Sequence, residues 1–217
     1  MANDTAPDFG NGPAPKRYPN TRPKPAASLV LVDTSGDSPR FLMGRRSMKH
    51  VFMPGFFVFP GGRFERSDNM SRAALPSEDE ALIHAQAAKT PHAGALLSCA
   101  LRETQEETGI ALESDTLNAR YLARAITPPG QVRRYDTRFF IALCDSETVS
   151  PTRSTDDELS GIAWIGMDEM PEGRIHRITE LVLKSSLERL ENDPALSKVT
   201  KTPTFCFRYG KPVTEYA

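Results

Sequence analysis

The sequence predicts an α/β domain in which a mixed β-sheet is held between helices, an α/β/α sandwich. Three observations point there. Short apolar runs of strand length recur along the chain, two longer segments carry helical periodicity, and 217 residues suffice for one such domain with a sizeable core. Charged residues make up 25% of the chain and the formal net charge is -1, so nothing global favours nucleic acid or an anionic membrane as partner. No apolar run is long enough to span a bilayer, and the N-terminus lacks the apolar centre of a secretion signal. The cytoplasm is the expected location. Cys99, Cys144 and Cys206 are odd in number, distant from one another and outside any CxxC pattern. That argues against a disulfide framework or a zinc knuckle and for small buried hydrophobes in a reducing compartment.

Residues 1–25 hold six prolines, two glycines and almost no bulky apolar groups, which predicts a flexible arm. The ordered domain is expected over residues 26–195 and a tail over 196–217. Ser28, Leu29, Val30, Leu31 and Val32 form a strong β run. The polar stretch at 33–37 turns the chain into a hairpin partner at 40–44. A short strand is expected at 56–59, fixed on either side by Pro54 and Pro60 and halted by a tight turn at Gly61 and Gly62. Residues 69–92 are polar and irregular, as an insertion outside the sheet would be. Within them Ser77 and Glu80 have the spacing of a capping box ahead of Ala81, Leu82 and Ile83, which predicts a short helix.

The next helix is expected over 93–108. Leu97, Leu101, Thr104 and Thr108 trace its apolar stripe, Leu96 and Ala100 widen it, and Gly109 is placed to end it. Strands follow at about 119–126, 135–142 and 162–165, with Pro128, Pro129 and Gly130 forming a loop between the first two. The last helix is expected over 175–190, with Arg177, Glu180, Lys184, Glu188 and Glu191 on its polar face. Phe205, Cys206 and Phe207 suggest an edge strand or a packed tail.

Chemistry concentrates at the end of the 93–108 helix. Glu103 and Glu107 sit one turn apart there, with Glu106 on the neighbouring ridge. Bare carboxylates so placed repel one another, and the helix dipole disfavours them at its C-terminal end. A hard divalent cation such as Mg2+ or Mn2+ converts that cost into a binding site. The ordinary alternative is a solvated acidic face. Gly61 and Gly62 upstream let backbone approach a metal or a phosphate closely. Arg46, Arg134 and Arg138 are candidate grips for terminal phosphates, and on an alternating strand Arg134 and Arg138 share a face with Asp136.

These residues resemble the Nudix hydrolase family. Its signature runs from a glycine through five residues to an acid, then seven residues to Arg-Glu-aliphatic-any-Glu-Glu-any-Gly-aliphatic. Here Gly62 opens it, and Arg102, Glu103, Thr104, Gln105, Glu106, Glu107, Thr108, Gly109 and Ile110 close it, with Thr104 at the first aliphatic place. Asp68 takes the first acid position, and 33 residues instead of seven separate it from Arg102. Such an interruption resembles the coenzyme A diphosphatase-like, peroxisomal-type branch. Leu42, Met43, Gly44, Arg45, Arg46 and Ser47, then Gly55 and Phe59 to Gly62, partly match the coenzyme A signature of related enzymes. Gly44 replaces its threonine and Val51 its second arginine.

The resemblance implies the Nudix fold and divalent-metal-dependent hydrolysis of a diphosphate bond in a nucleotide-type small molecule, coenzyme A or its acyl esters first. Glu103, Glu106 and Glu107 are the implied metal ligands, with Mg2+ or Mn2+ as cofactor. Asp68 either completes that set or merely begins the insertion. Arg102 holds the acid helix to the glycine turn. Glu106, or a later acid among Asp156, Asp157 and above all Glu158, orients the attacking water. ADP-ribose or other dinucleotide substrates, a non-catalytic nucleotide-binding module and RNA decapping are the alternatives. A homodimer is compatible with the resemblance and the arm.

Overall fold

A computed structural model of the protein describes residues 18–48, 54–147, 149–151, 159–170 and 173–217. The described strands are β1 Lys24–Asp33, β2 Arg40–Arg46, β3 Phe57–Val58, β4 Gly61–Arg63, β5 Arg120–Ile126, β6 Tyr135–Leu143, β7 Leu159–Gly166, β8 Pro203–Arg208 and β9 Lys211–Tyr216. The helices are α1 Ser77–Gln86, α2 Ala93–Thr108, the single turn α3 Ser114–Leu117, and α4 Arg177–Asn192. The strands join into one mixed sheet in the order β3-β2-β1-β6-β5-β8-β9, with β4 added to β1 and β7 to β2. β1 runs parallel to β6 and β5 parallel to β8, while the other pairs are antiparallel.

Alternation along β1 explains the layering. Val30 and Val32 face the α4 side with Phe139, Ile141, Val182 and Leu183. Ala27, Leu29 and Leu31 face the α2 side with Leu96, Leu97, Ala100 and Phe140. Each face of the sheet is therefore apolar and covered by helix, the α/β/α arrangement expected of strands that bury both sides. The polar face expected for the last helix is exposed, and Thr179, Val182, Leu183, Ser186 and Leu190 are buried beneath it.

Several details differ from the sequence expectations. Gly61 and Gly62 are not a free turn but strand β4, with Gly62 opposite Ala27 and Gly61 opposite Ser28. Ser77 does not cap α1. Pro76 holds the cap position with no side-chain bond, because the helix begins one residue earlier than the capping box requires. The segment at 196–217, expected as a tail, contains the β8–β9 hairpin and extends the sheet beyond β5. Phe205 and Cys206 are thus buried in the sheet, and β9 is the outer strand. Residues 18–25 also depart from a loose arm. The Tyr18 amide donates to Gly130 O, the Lys24 amide donates to Arg134 O, and β1 starts at Lys24. The rest of the arm, residues 1–17, lies outside the described residues.

Residues 64–92 add no strand. They cross from β4 to α2 through a short 3-10 turn, Ser67–Asn69, and α1. Helix α1 is fastened by a buried ion pair: Arg120 Nε meets Asp79 Oδ2 at 2.6 Å, and Asp79 also accepts the Tyr121 amide at 3.1 Å. The same guanidinium donates to Leu196 O at 2.9 Å, so one side chain joins α1, β5 and the segment before β8. Among the described residues no helix is long and apolar enough to cross a membrane.

Replacing Arg120 with alanine leaves the Asp79 carboxylate buried and unpaired, and the expected loss of stability is about 3–5 kcal/mol by urea denaturation. Asp33 provides a pH-dependent counterpart at the end of β1. Burial opposes its charge, but the Ser146 hydroxyl and the Ser35 amide outweigh that and lower its pKa from 3.8 to about 2. A lowered carboxylate pKa stabilises the fold above the unfolded value and loses that contribution as pH falls. The stability advantage of the protein over its Asp33→Asn variant is therefore expected to be complete above pH 3.8 and to shrink toward about 2.

Candidate active site

Helix α2 positions the candidate chemistry. It starts at His92, whose Nδ1 accepts the Gly94 amide at 3.2 Å, and ends at Gly109 in the left-handed region at φ 74. Ala93, Leu96, Leu97, Ala100, Thr104 and Thr108 face the core. Thr104 is tolerated in place of an aliphatic residue because its hydroxyl donates to Ala100 O at 2.7 Å. Thr108 does the same to Thr104 O at 2.6 Å. With that face inward, the last two turns present Arg102, Glu103, Glu106 and Glu107 toward strand β4.

Contact between the acids and the glycines is close. Glu107 is buried, and its Oε2 accepts the Gly61 amide at 2.8 Å. A methyl group added to Gly62 would lie 2.4 Å from the Glu103 carboxylate, so a side chain there would push the end of Glu103 away from β4. At Gly61 the added carbon would meet Ala27 O at 2.5 Å, which ties that glycine to the β1 pairing instead. The Gly62 carbonyl in turn receives the Cys99 thiol at 3.8 Å. Burial, followed by the nearby Asp68 and Glu103 charges, pushes the Cys99 thiol far up, so it is present as a protonated, packed group.

Arg102 fastens this arrangement. Its Nε meets Asp68 Oδ1 at 2.8 Å and its Nη2 meets Asp68 Oδ2 at 3.3 Å, a two-pronged pair. Nη1 reaches Glu106 at 2.9 Å and Glu103 at 3.0 Å. The bond to Asp68 raises the Arg102 pKa further against burial, with Glu103 adding to it, so the guanidinium is permanently charged. Asp68 itself is buried and also accepts the Glu65 amide at 2.8 Å. Its carboxylate is thus bonded to Arg102 and to the Glu65 amide.

The three glutamates share one end of α2, where Glu103 and Glu106 both meet Arg102 Nη1 and Glu107 meets the Gly61 amide. Among the described residues no group of three His, Cys, Asp or Glu side chains is preassembled to hold a metal ion. Glu107 is held by Gly61, while Glu103 and Glu106 lean on Arg102. The donor chemistry nevertheless fits a hard divalent cation, since all three are carboxylates, and the side-chain-free strand at Gly62 leaves Glu103 in direct contact with backbone.

The arginines expected on phosphates are not together. Arg46 lies on β2, across β1 from β6. Arg134 and Arg138 do share a face with Asp136, but Arg138 is only 1% exposed and pairs with Asp136 at 2.6 Å. It is a buried network residue, not a surface grip, because the α1–α2 layer covers that part of the sheet. Arg124 was not singled out by sequence reading, yet it holds the other side of Asp136 through two bonds at 2.8 and 2.9 Å. Its alternation with Tyr121 across the β5 bulge gave no clear face in the sequence. Asp156, Asp157 and Glu158 lie outside the described residues. His92 and His176 are helix caps, the latter accepting the Ile178 amide at 3.3 Å.

Residues 90–184 match the family model of the NUDIX domain. The match begins just before α2 and so includes the acid helix but not the glycine strand. A NUDIX hydrolase from Alicyclobacillus acidocaldarius superposes with a TM-score of 0.54 at 24% identity, covering 80% of this chain and 85% of that one. The NUDIX domain of NrtR from Shewanella oneidensis, in a complex with ADP ribose, gives a TM-score of 0.52 at 16% identity over 78% of this chain and 90% of that one. A MutT NUDIX hydrolase from Burkholderia pseudomallei gives 0.51 at 19% identity over 76% and 98%. The chain has the Nudix fold.

Gly62→Ala is expected to separate β4 from Glu103 while leaving the sheet folded. Circular dichroism is expected to stay unchanged while binding of Mn2+, followed by electron paramagnetic resonance, is weakened roughly 10-fold or more. Retention of full Mn2+ affinity in that variant would remove the glycine strand from the site.

Proposed function

We propose that the protein hydrolyses a diphosphate bond in a nucleoside-diphosphate-linked metabolite, with coenzyme A or an acyl-coenzyme A as first candidate, using Mg2+ or Mn2+. The observation that carries this reading is the fastening of Glu107 to the Gly61 amide with Glu103 against Gly62, beside a third carboxylate on the same helix turn. Glu103, Glu106 and Glu107 are the residues that would hold the ion. When bound, a divalent ion neutralises the diphosphate and lowers the pKa of a bound water. Glu106 is the most exposed of the three, with a side chain 46% accessible, and is the proposed residue that orients the attacking water. Arg102 and Asp68 keep the helix end in place against β4. Gly62, which carries no side chain, lets the Glu103 carboxylate lie against the backbone of β4.

The partial coenzyme A signature supports that choice of substrate, and one of its departures has a local reason. A Cβ at Gly44 would lie 2.9 Å from Leu159 Cδ1 and 3.2 Å from Ile162, so the β2–β7 contact demands glycine where the signature has threonine. The likeness to the ADP ribose-bound NrtR domain puts ADP-ribose-like compounds second.

A metal-independent nucleotide-binding role is a distinct reading, favoured by the hold of Arg102 on Glu103 and Glu106. Product analysis on a panel of coenzyme A, acyl-coenzyme A, ADP-ribose and dinucleotides separates the two. The hydrolase reading expects turnover of at least one member only with Mg2+ or Mn2+. It expects a drop of roughly 100-fold in Glu106→Gln and Glu107→Gln. Tight nucleotide binding with no metal-dependent product from any panel member would establish the binding module instead.

A further inference from the structure

The face of the sheet that carries Gly62 continues into a second, cationic site. Backbone register lines up Gly62, Ala27, Arg138, Arg124, Thr204 and Glu215 across five neighbouring strand pairs. Paired residues present their side chains on the same face. With strands about 4.8 Å apart, Arg124 lies roughly 14 Å from Gly62. There the surface opens into a cleft of about 400 Å³ between β5, β8, β9 and the end of α1. That volume falls in the range of small-ligand pockets.

Its charge is unbalanced. Arg124, Arg134 and Arg208 line the cleft, and Arg138 lies buried beside Arg124 in the same row. Two side-chain carboxylates answer these four guanidinium groups: Asp136, shared by Arg124 and Arg138, and Glu215, paired with Arg208; Arg124 Nη1 also donates to Gln86 O at 2.6 Å, and Ala217 completes the lining. The Arg208–Glu215 pair is two-pronged, at 2.8 and 3.1 Å, and lies exposed at the rim. Arg134 is braced only by neutral acceptors, Thr127 O at 3.1 Å, Thr21 O at 2.6 Å and the Asn20 side chain. Among the described residues no carboxylate lies within ion-pair reach of it, and burial lowers its pKa. In Arg138, Nε and Nη2 are buried and donate to no acceptor among the described residues. Unsatisfied buried donors of a charged group are costly and favour an anion or water nearby. Ile126, Phe207 and Tyr216 give the cleft an apolar and aromatic wall.

We propose that this cleft binds a phosphate ester of a small organic molecule, its phosphate held by Arg134 and Arg124 with Arg208 at the rim, at a place separate from the acid helix. Planar guanidinium groups match phosphate oxygens in pairs, and the braced Arg134 is already positioned to do so. The organic part lies against Ile126 and Tyr216. Two sources share this chemistry: a phosphorylated far end of the substrate, or a separate phosphorylated effector. The site stands apart from the proposed hydrolysis, since binding here needs neither metal nor turnover.

The test is calorimetric titration of the full chain, and of its Glu106→Gln variant, with AMP and with inorganic phosphate in the absence of divalent ions. Both proteins are expected to bind AMP, more weakly as salt rises. Arg134→Ala and, independently, Arg208→Ala are expected to weaken binding at least 10-fold and about 3-fold. Because Arg134 also braces residues 20 and 21, the rim variant guards against a folding effect. No binding of either probe, or binding unchanged in both variants, overturns the proposal, whatever the hydrolysis assays show. The source is then resolved by kinetics. A KM that rises at least 10-fold in Arg134→Ala for a phosphate-terminated substrate, but not for the same compound without that phosphate, assigns the cleft to the substrate. A change in wild-type turnover on adding AMP that Arg134→Ala abolishes assigns it to an effector.

Discussion

One guanidinium group holds the candidate active site together. Arg102 sits where helix α2, strand β4 and the 3-10 turn at Asp68 meet, and it donates to all three. Without it, three acids at the C-terminal end of a helix would repel one another and the helix dipole alike. Asp68 matters as much, because a buried carboxylate fixes the direction of the fork. The planar guanidinium then has prongs left for Glu103 and Glu106. The same geometry gathers those two acids about one nitrogen, Arg102 Nη1, at 3.0 and 2.9 Å. Their attraction to Arg102 offsets their mutual repulsion until a stronger cation competes for them.

The glycine strand is the other half of the constraint. Gly62 faces Ala27 across β4–β1 and Glu103 across the gap to α2, so the place a side chain would take is filled by the Glu103 carboxylate. A strand rather than a loose turn is what keeps that gap narrow. It also explains how the Gly61 amide is available to Glu107: the backbone there is spaced by its pairing with β1.

Helix α2 was legible in the sequence from end to end, because an apolar stripe, a following glycine and the acid pattern all agree over residues 93–108. The central strands were legible for the same reason, as β-branched and aromatic runs bounded by turn residues. What was missed had no local signal. Strand β9 contains Lys211, Pro212, Thr214 and Glu215, and as an exposed outer strand it has no apolar alternation to read. The burial of Arg138 depends on α1 and α2 lying over its strand, a contact no window around it contains. The sharing of Asp136 between Arg124 and Arg138 depends on which strand lies beside which. Likewise, the spacing of Glu103, Glu106 and Glu107 gave their common helix end but not the competing pull of Arg102 and Gly61.

The parallel pairing of β5 with β8 has a consequence for how the chain is made. Strand β5 is complete by residue 126, yet its outer neighbour begins only at Pro203. During synthesis the hydrogen-bonding edge of β5 stays bare until the residues of β8 have left the ribosome. A chain interrupted before that point exposes a ready template for another strand, so incomplete copies are the ones that stick together. The late hairpin thus acts as a seal on the edge that β5 would otherwise leave open.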